Sequence, residues 1–581
     1  MDQFIRKASL VGSVTLALAV IAGCGGGGGG SSGSSAPAPA PVAQKGTLNV
    51  AITDGPGDAY NHVWVTISAI SLHTSPDEIW SPDDATWQTT QLPTPVTVDL
   101  ASLNNGTLAN LFQNIVLPVG TYRQIRLFFV GANQDLSSSA QATKDNETPP
   151  TPLQWNDQVE YQDSSGTLHE APLEIAYPTQ GVQLLGSFAV TQDSTLNLAV
   201  DFDLERIIVP FVHDGGEAFT MRPNLAYFDL NQSGAITGQV DPTRICQPSA
   251  LPSATCAYNL IVHAELLSAD GSRHWAARST SVDPVTGQFV LYPVDLKDSN
   301  GNPLSYDLVV RGRNMETLIV TGIDPAGTPS SNPAVVQTAP LEPTISATEY
   351  GAQLASPLEP LTSGFGLFQE TLPVSSQVAH PVPYEIRWGN TDPFSGILFQ
   401  SMPLENANIL LAPYNGGNTL SFTSVIPQEG LGGYNVADNE NAYYTLSSNL
   451  LIQAPTSGSS TTFTPPIPTL DTGIKQGSVS GNIAVANAAQ YDHGTLVLSR
   501  FAMIVTSVDI SADLASGGAF SIGNLAAGSP TSPVPGAYYY GYLRLWKAGT
   551  GLPAKIVTIP GFIDLRKTAS VTGFNVTVSA N

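Results

Sequence analysis

Apolar residues recur at every second position in this chain, and no segment sustains the spacing of an amphipathic helix. Leu48-Asn49-Val50-Ala51-Ile52 alternates and then stops at Asp54-Gly55-Pro56-Gly57, a turn signal. Val63, Val65 and Ile67 fall on one strand face. Arg123, Ile125, Leu127 and Phe129 fall on another. Residues 409–414 and 419–425 flank Asn415-Gly416-Gly417-Asn418, which predicts a hairpin. The pattern as a whole predicts an all-β protein of short strands joined by many turns.

Composition agrees with the pattern. There are 53 Gly and 45 Pro, and charged residues are only 12%, against about 25% in an ordinary globular domain. Long solvated helices need more charge than that. Hydrophobic residues reach 42%, enough for packed cores, and 581 residues predict several domains. The net charge of −25 excludes a surface built for nucleic acid, because polyphosphate would be repelled.

The N-terminus reads as an address. Arg6 and Lys7 precede a short apolar run over residues 8–22, which fits the h-region of an export signal. A permanent membrane span needs about 20 apolar residues. The run closes on Ile21-Ala22-Gly23-Cys24, which resembles the lipobox of bacterial lipoproteins. That resemblance implies cleavage after residue 23 and diacylglycerol on Cys24. Gly25 follows where enteric lipoproteins retained in the inner membrane carry Asp, so the expected address is the outer membrane. Residues 24–45 are a glycine run, a serine patch and alternating Ala-Pro, the composition of a disordered tether.

Cys24 apart, two cysteines remain, Cys246 and Cys256, in a proline-rich stretch. In an exported chain they read as a local disulfide, with two free thiols as the alternative. So small a loop gives about 3 kcal/mol at most. No His or third Cys lies at zinc-ligand spacing.

The chain resembles itself. Gly234-Ala235-Ile236-Thr237-Gly238-Gln239-Val240 matches Gly477-Ser478-Val479-Ser480-Gly481-Asn482-Ile483, and Gly287-Gln288-Phe289 matches Gly518-Ala519-Phe520. Strands opening at Tyr306 and Tyr538 follow, then Leu318-Ile319-Val320-Thr321 and Ile556-Val557-Thr558-Ile559. Four matched elements in one order indicate a repeated domain. The order resembles the prealbumin-like sandwich of carboxypeptidase regulatory-like and Cna-B-type domains, with Pro535-Gly536-Ala537-Tyr538 matching its Pro-Gly-x-Tyr piece. The first copy lacks that piece. Ahead of the repeats lie Ile52-Thr53-Asp54-Gly55-Pro56, Leu117-Pro118-Val119-Gly120-Thr121-Tyr122, Val200-Asp201-Phe202-Asp203 and Met221-Arg222-Pro223. Together they resemble the domain-of-unknown-function 4382 family of bacterial lipoproteins, which brings no activity to carry over. The expected organisation is a string: signal 1–23, tether 24–45, β domain 46–232, sandwich 233–342, β-rich region and linker 343–472, sandwich 473–581.

Chemical motifs fail one by one. His169-Glu170-Ala171-Pro172 lacks the second His of a zinc-protease helix, and Pro172 would break that helix. Asp229, Asn231 and Ser233 stand at calcium-loop positions with Gly234 sixth, but position 12 is Val240 rather than Glu, so a polar turn is the favoured reading. The eight His residues form no pair at ligand spacing. Trp80 and Trp87, in a turn-rich stretch, are the candidates for an exposed sugar platform, with a place in the core as the alternative. The expected function is a non-enzymatic envelope lipoprotein, bound to the membrane through its lipid and carrying a binding surface for glycan or an envelope protein. No cofactor or metal is expected. A structural or assembly role is the alternative, and a hydrolase with a site scattered in sequence is the outsider.

Overall fold

The computed structural model describes residues 44–579 apart from short internal stretches, chiefly 57–59, 163–165, 177–179, 222–224, 248–254 and 548–554, and apart from much of 346–472. Cys24 and its lipobox lie outside the described residues. The regular structure of the described chain is almost all strand, with only short helical turns. No helix among the described residues is long and apolar enough to cross a membrane.

The first unit packs two sheets face to face. One has Lys45–Thr53 at its centre, parallel to Thr195–Asp201 and antiparallel to Ala109–Pro118. The other is an eight-stranded sheet in which His62–His73 lies between Gly120–Phe129 and Gln158–Gln162. Leu48, Val50 and Ile52 meet Val63, Val65 and Ile67 in the core, as alternation predicts. Gly120–Phe129 departs from its pattern. A β-bulge between Tyr122 and Gln124 changes the phase of the strand, so Tyr122 enters the core with Ile125, Leu127 and Phe129 while Arg123 is exposed. The opposite face of this strand, Gln124, Arg126 and Phe128, is buried as well.

The two repeat copies share one topology. Ser233–Gln239 pairs antiparallel with Gln288–Asp295 and parallel with Ala334–Val335, and Lys475–Ala486 pairs likewise with Gly518–Ala527 and Ser570–Thr572. In the facing sheets, Tyr258–Leu267 stands between His274–Ser281 and Tyr306–Arg313, as His493–Arg500 stands between Met503–Asp509 and Tyr538–Trp546. Even the bulges correspond, at Gly234/Ile236 and Gly477/Val479, and Gly238 lies opposite Phe289 as Gly481 lies opposite Phe520. Both phenylalanines fill the space between the sheets. Phe289→Ala is expected to cost about 3–5 kcal/mol, read as a lower melting point of that sandwich. Gly481 is required for space: a Cβ there would sit 2.0 Å from the Phe574 carbonyl oxygen.

The tyrosine match shifts by one residue. Tyr306 is in the core of the first copy and donates its hydroxyl to the Asp295 carbonyl (2.8 Å). In the second copy Tyr539 does this, donating to the Ala526 carbonyl (2.9 Å), while Tyr538 faces outward from that sandwich.

The expected hairpin forms, with Ile409–Pro413 pairing with Thr423–Val425. It extends the first sandwich, because Ile409–Pro413 also runs parallel to Thr317–Ile323. There are three large cores, one per unit, and side-chain contacts join the units. A loop of the first unit enters the first sandwich: the Asn105 backbone N–H donates to Thr280 Oγ1 (2.9 Å), and its side-chain oxygen accepts from the Val290 N–H (3.1 Å). A separate apolar cluster joins Ala176 and Ile79 to Val497, Ile504, Tyr538, Tyr540 and Tyr542 of the last sandwich.

Candidate functional site

Two of the short motifs meet at the first junction. Parallel pairing sets Thr53 beside Asp201, and the Phe202 N–H donates to the Thr53 carbonyl (3.1 Å). Asp54 Oδ1 then accepts from the Leu204 N–H (3.0 Å). Asp203 adopts φ 51°, a left-handed conformation that Asp tolerates better than most residues. Arg278 arrives from the first sandwich. It pairs with Asp201 and donates to Thr53 Oγ1 (2.8 Å) and to the Asp54 carbonyl (2.7 Å). All four side chains are buried, so the guanidinium supplies the charge that this carboxylate cluster would otherwise lack.

Burial first, and then the neighbouring Asp201, push the Asp54 carboxyl well above the usual carboxylate range. The folded protein therefore holds this proton where the unfolded chain has released it. The stabilisation is complete below about pH 4 and is lost as pH rises through the elevated value. Asp54→Asn keeps the acceptor for Leu204 and removes the titration. Melting temperature plotted against pH should fall less steeply for this variant than for the natural protein.

The second junction holds a different set of groups. Glu174, buried at the end of Leu168–Glu174, accepts from the Tyr542 hydroxyl (2.7 Å) and pairs with Arg544 (3.1 Å). Beside it, the outward face of Gly120–Phe129 is roofed by the loop that carries Trp80 and Trp87. Gln124 anchors that loop by donating to the carbonyls of Ser75, Pro76 and Glu78. Arg126 is 1% exposed. It donates to Gln124 Oε1 (2.7 Å) and to the Gln180 carbonyl (2.8 Å), and its guanidinium lies 5.4 Å from the Trp87 ring. Among the described residues it forms no ion pair with a carboxylate, whereas Arg278 and Arg544 do. The Tyr538 hydroxyl lies within range of its charge.

Several buried polar atoms in this cluster have no hydrogen-bond partner: Arg126 Nη2, Trp80 Nε1, Trp87 Nε1, Gln180 Oε1 and Gln183 Oε1. Buried polar atoms are nearly always satisfied by protein, water or ligand. Their concentration between the first unit and the last sandwich marks this as the candidate binding site. Phe562, which is 37% exposed and packs edge-on to Tyr538, and exposed Glu78 lie at the surface beside it.

The structure places the two candidate tryptophans here, though not as an open platform. Trp87 is 6% exposed and packs on His73 (4.8 Å between ring centres), and half-buried Trp80 packs on Phe128 (4.8 Å). Cys246 and Cys256 are joined as a disulfide far from this cluster in sequence. Asp229 caps a short turn, accepting from the Asn231 N–H (3.0 Å) and the Gln232 side chain (2.9 Å). Ser233 donates to the Asp229 carbonyl (2.8 Å), and Asn231 Oδ1 accepts from Asn197 (3.0 Å), so these oxygens serve the polar turn.

Two further constellations were not legible in sequence. Asp145, Glu147 and Glu170 bring carboxylate oxygens within 4.8 Å of one another. Burial, then sharing with Asp145, pushes Glu170 up to about 7. Asp145 already accepts from the Thr151 N–H (2.8 Å), and Glu170 accepts from Gln158 (3.1 Å). Ser279 contacts His263 Nδ1 (3.0 Å), a pairing that resembles a nucleophile and its base. Arg311 Nε donates to His263 Nε2 (3.0 Å), so a neutral ring carries its proton on Nδ1 and donates it to Ser279. Such a histidine cannot take the serine proton.

Arg126, Gln183 and Glu174 escape sequence reasoning because they sit on strand faces that look solvent-exposed, and Gln180 lies in the turn just before Val182–Val190. Tyr538 and Tyr542 look like core residues of their own sandwich. The one signal was Gln124-Ile125-Arg126-Leu127, whose polar positions carry long side chains able to bond a covering loop.

No curated protein matches the chain. Among solved structures, it is similar to the Bacillus anthracis TIE protein, at 7% identity over 91% of this chain and 74% of that one, with a TM-score of 0.13. Two B repeat units of the collagen-binding protein of Staphylococcus aureus match at 8% identity over 92% of this chain and 98% of theirs, with a TM-score of 0.12. The RrgB pilus protein of Streptococcus pneumoniae matches at 8% identity over 90% and 92%, with a TM-score of 0.10. Scores this low carry no weight on ligand or partner. Residues 45–223, the span of the first unit, match the family model described as Domain of unknown function (DUF4382).

Proposed function

We propose that this protein is a non-enzymatic binding module of the bacterial cell envelope, anchored by acylated Cys24 in the outer membrane and recognising carbohydrate between its first unit and its last sandwich. The observation that carries the reading is the set of partnerless polar atoms around Arg126, framed by Trp80, Trp87 and Phe128. Flat rings beside a few convergent donors and acceptors suit a hydroxylated, ring-shaped ligand. Among the described residues of the cluster, no group is arranged as an activated nucleophile. The His263–Ser279 proton direction supports the same non-catalytic reading. A glycan-array screen with the full protein, repeated with Trp80→Ala and Trp87→Ala, tests it. Binding that both substitutions weaken is the expected result, and an array without hits contradicts it. Palmitate labelling that depends on Cys24 tests the anchor.

An assembly role is the second reading. It is favoured by the Arg278–Asp201 and Arg544–Glu174 pairs, which fix both sandwiches to the first unit. In that case crosslinking in intact cells captures an envelope protein beside the chain, and the glycan screen is blank.

A further inference from the structure

We infer that the outer edge of Lys555–Thr558, in the last sandwich, is a docking site for an extended, uncharged apolar segment of another protein, which joins the sheet there as one more strand. This inference is independent of the carbohydrate reading, and it comes from the two repeat copies laid side by side. In the first copy Thr317–Ile323 pairs with Tyr306–Arg313. In the second, Lys555–Thr558 stands at the same place beside Tyr538–Trp546. The far edge of Thr317–Ile323 is taken: Ile409–Pro413 runs parallel to it, and the Tyr414 N–H donates to the Thr321 carbonyl (2.8 Å). Among the described residues, no strand pairs with the far edge of Lys555–Thr558.

Burial and backbone geometry both mark that edge as open. Leu318, Ile319 and Val320 are buried, whereas Lys555, Ile556 and Val557 are half-buried and Thr558 is exposed. The Ile559 N–H donates to the Gly541 carbonyl (3.0 Å). Along an antiparallel pair, residues bonded to the neighbour alternate with residues that point away from it. Val557, opposite Leu543, therefore bonds inward, and Ile556 and Thr558 turn their N–H and C=O groups to the open side. Such a row of backbone groups is a template for an added strand.

The occupied edge shows what kind of segment fits. Ile409-Leu410-Leu411-Ala412-Pro413 carries no charge. Its Leu410 and Ala412 pack on the core of the first sandwich, and its Ile409 and Leu411 join Val309, Ile319 and Tyr384 on the other face. The open edge offers the same two walls. Val557 packs on the core of the last sandwich, and Ile556 packs on the apolar cluster that joins this sandwich to Ile79 and Ala176 of the first unit. An added strand would continue that existing junction, so it needs apolar side chains on both faces. Lys555, the one charge on the strand, disfavours a basic segment opposite it.

The test is fluorescence anisotropy of a labelled synthetic peptide of residues 406–416, which contains the first copy's own edge strand, titrated with the full-length protein. Saturable binding is expected, and the same peptide with Leu411→Asp should not bind. Thr558→Pro removes one outward N–H and leaves the bonds to Tyr538–Trp546 in place, as proline does on an edge strand. With an unchanged circular dichroism spectrum, this variant should bind the peptide about tenfold more weakly. If it fails to fold, residue-resolved hydrogen exchange of the natural protein serves instead: peptide should slow the Ile556 and Thr558 amides and leave the Val557 amide unchanged. A peptide that does not bind, that binds Thr558→Pro equally well, or that leaves the Ile556 and Thr558 amides unprotected overturns the inference. So does self-association without peptide that Thr558→Pro abolishes, because a second copy of the chain then fills the edge.

Discussion

Arg278→Ala should lower stability by about 3–5 kcal/mol, the usual cost of stranding one member of a buried ion pair. Asp201 would be left inside the protein beside Asp54, with the Thr53 hydroxyl and the Asp54 carbonyl each losing a donor. The loss should depend on pH in a defined direction. Arg278 is one of the groups that hold the raised Asp54 value down, so without it Asp54 keeps to still higher pH a proton that the unfolded chain releases. The variant is then least impaired near pH 5 and most impaired near pH 8. Chemical denaturation at both values reads this. Arg278→Met combined with Asp201→Leu removes both charges and should recover most of the stability, because the pair contributes less than its breakage costs. If the single and double variants are equally damaged, packing rather than charge holds this junction.

Glu174→Ala should cost a similar amount, about 3–5 kcal/mol, for the mirror-image reason. Here the stranded group is Arg544, together with the Tyr542 hydroxyl. Arginine cannot relieve itself by titrating, so this loss should be nearly the same at pH 5 and pH 8. Loosening of the last sandwich should also appear as faster proteolysis in the strands that carry Tyr538 and Tyr542. Tyr542→Phe leaves the Arg544–Glu174 pair intact and should cost only about 1 kcal/mol. The contrast between a pH-sensitive and a pH-insensitive junction distinguishes the two by experiment.

Much of this architecture was legible in sequence. Alternation placed Leu48, Val50 and Ile52 in a core, and the matched glycines and phenylalanines marked a repeated sandwich whose two copies share topology and bulge positions. The local rules broke where one residue changed the phase. The bulge at Tyr122/Gln124 moved Arg123 out of the face assigned to it, and Tyr539 rather than Tyr538 took the inner position. A bulge leaves no trace in hydrophobic periodicity, and consecutive tyrosines read alike on both faces of a strand.

The candidate site was legible only as two tryptophans. Arg126 and Tyr538 lie more than 400 residues apart, and nothing local says that the face of one strand will be covered by another domain. Arg278 and Asp201 likewise belong to different units. Their types are informative in retrospect, because a long buried side chain with a fixed charge must find an opposite charge somewhere. The sequence shows the charge but not its partner, and so the contacts between units were not legible in it.

Contact between the units is the central claim, and small-angle X-ray scattering of the soluble chain from residue 25 onward tests it most directly. Sandwiches held against the first unit predict a radius of gyration close to the roughly 25 Å of a compact chain of this length. A markedly larger radius, with the scattering of separate units on flexible linkers, would contradict it.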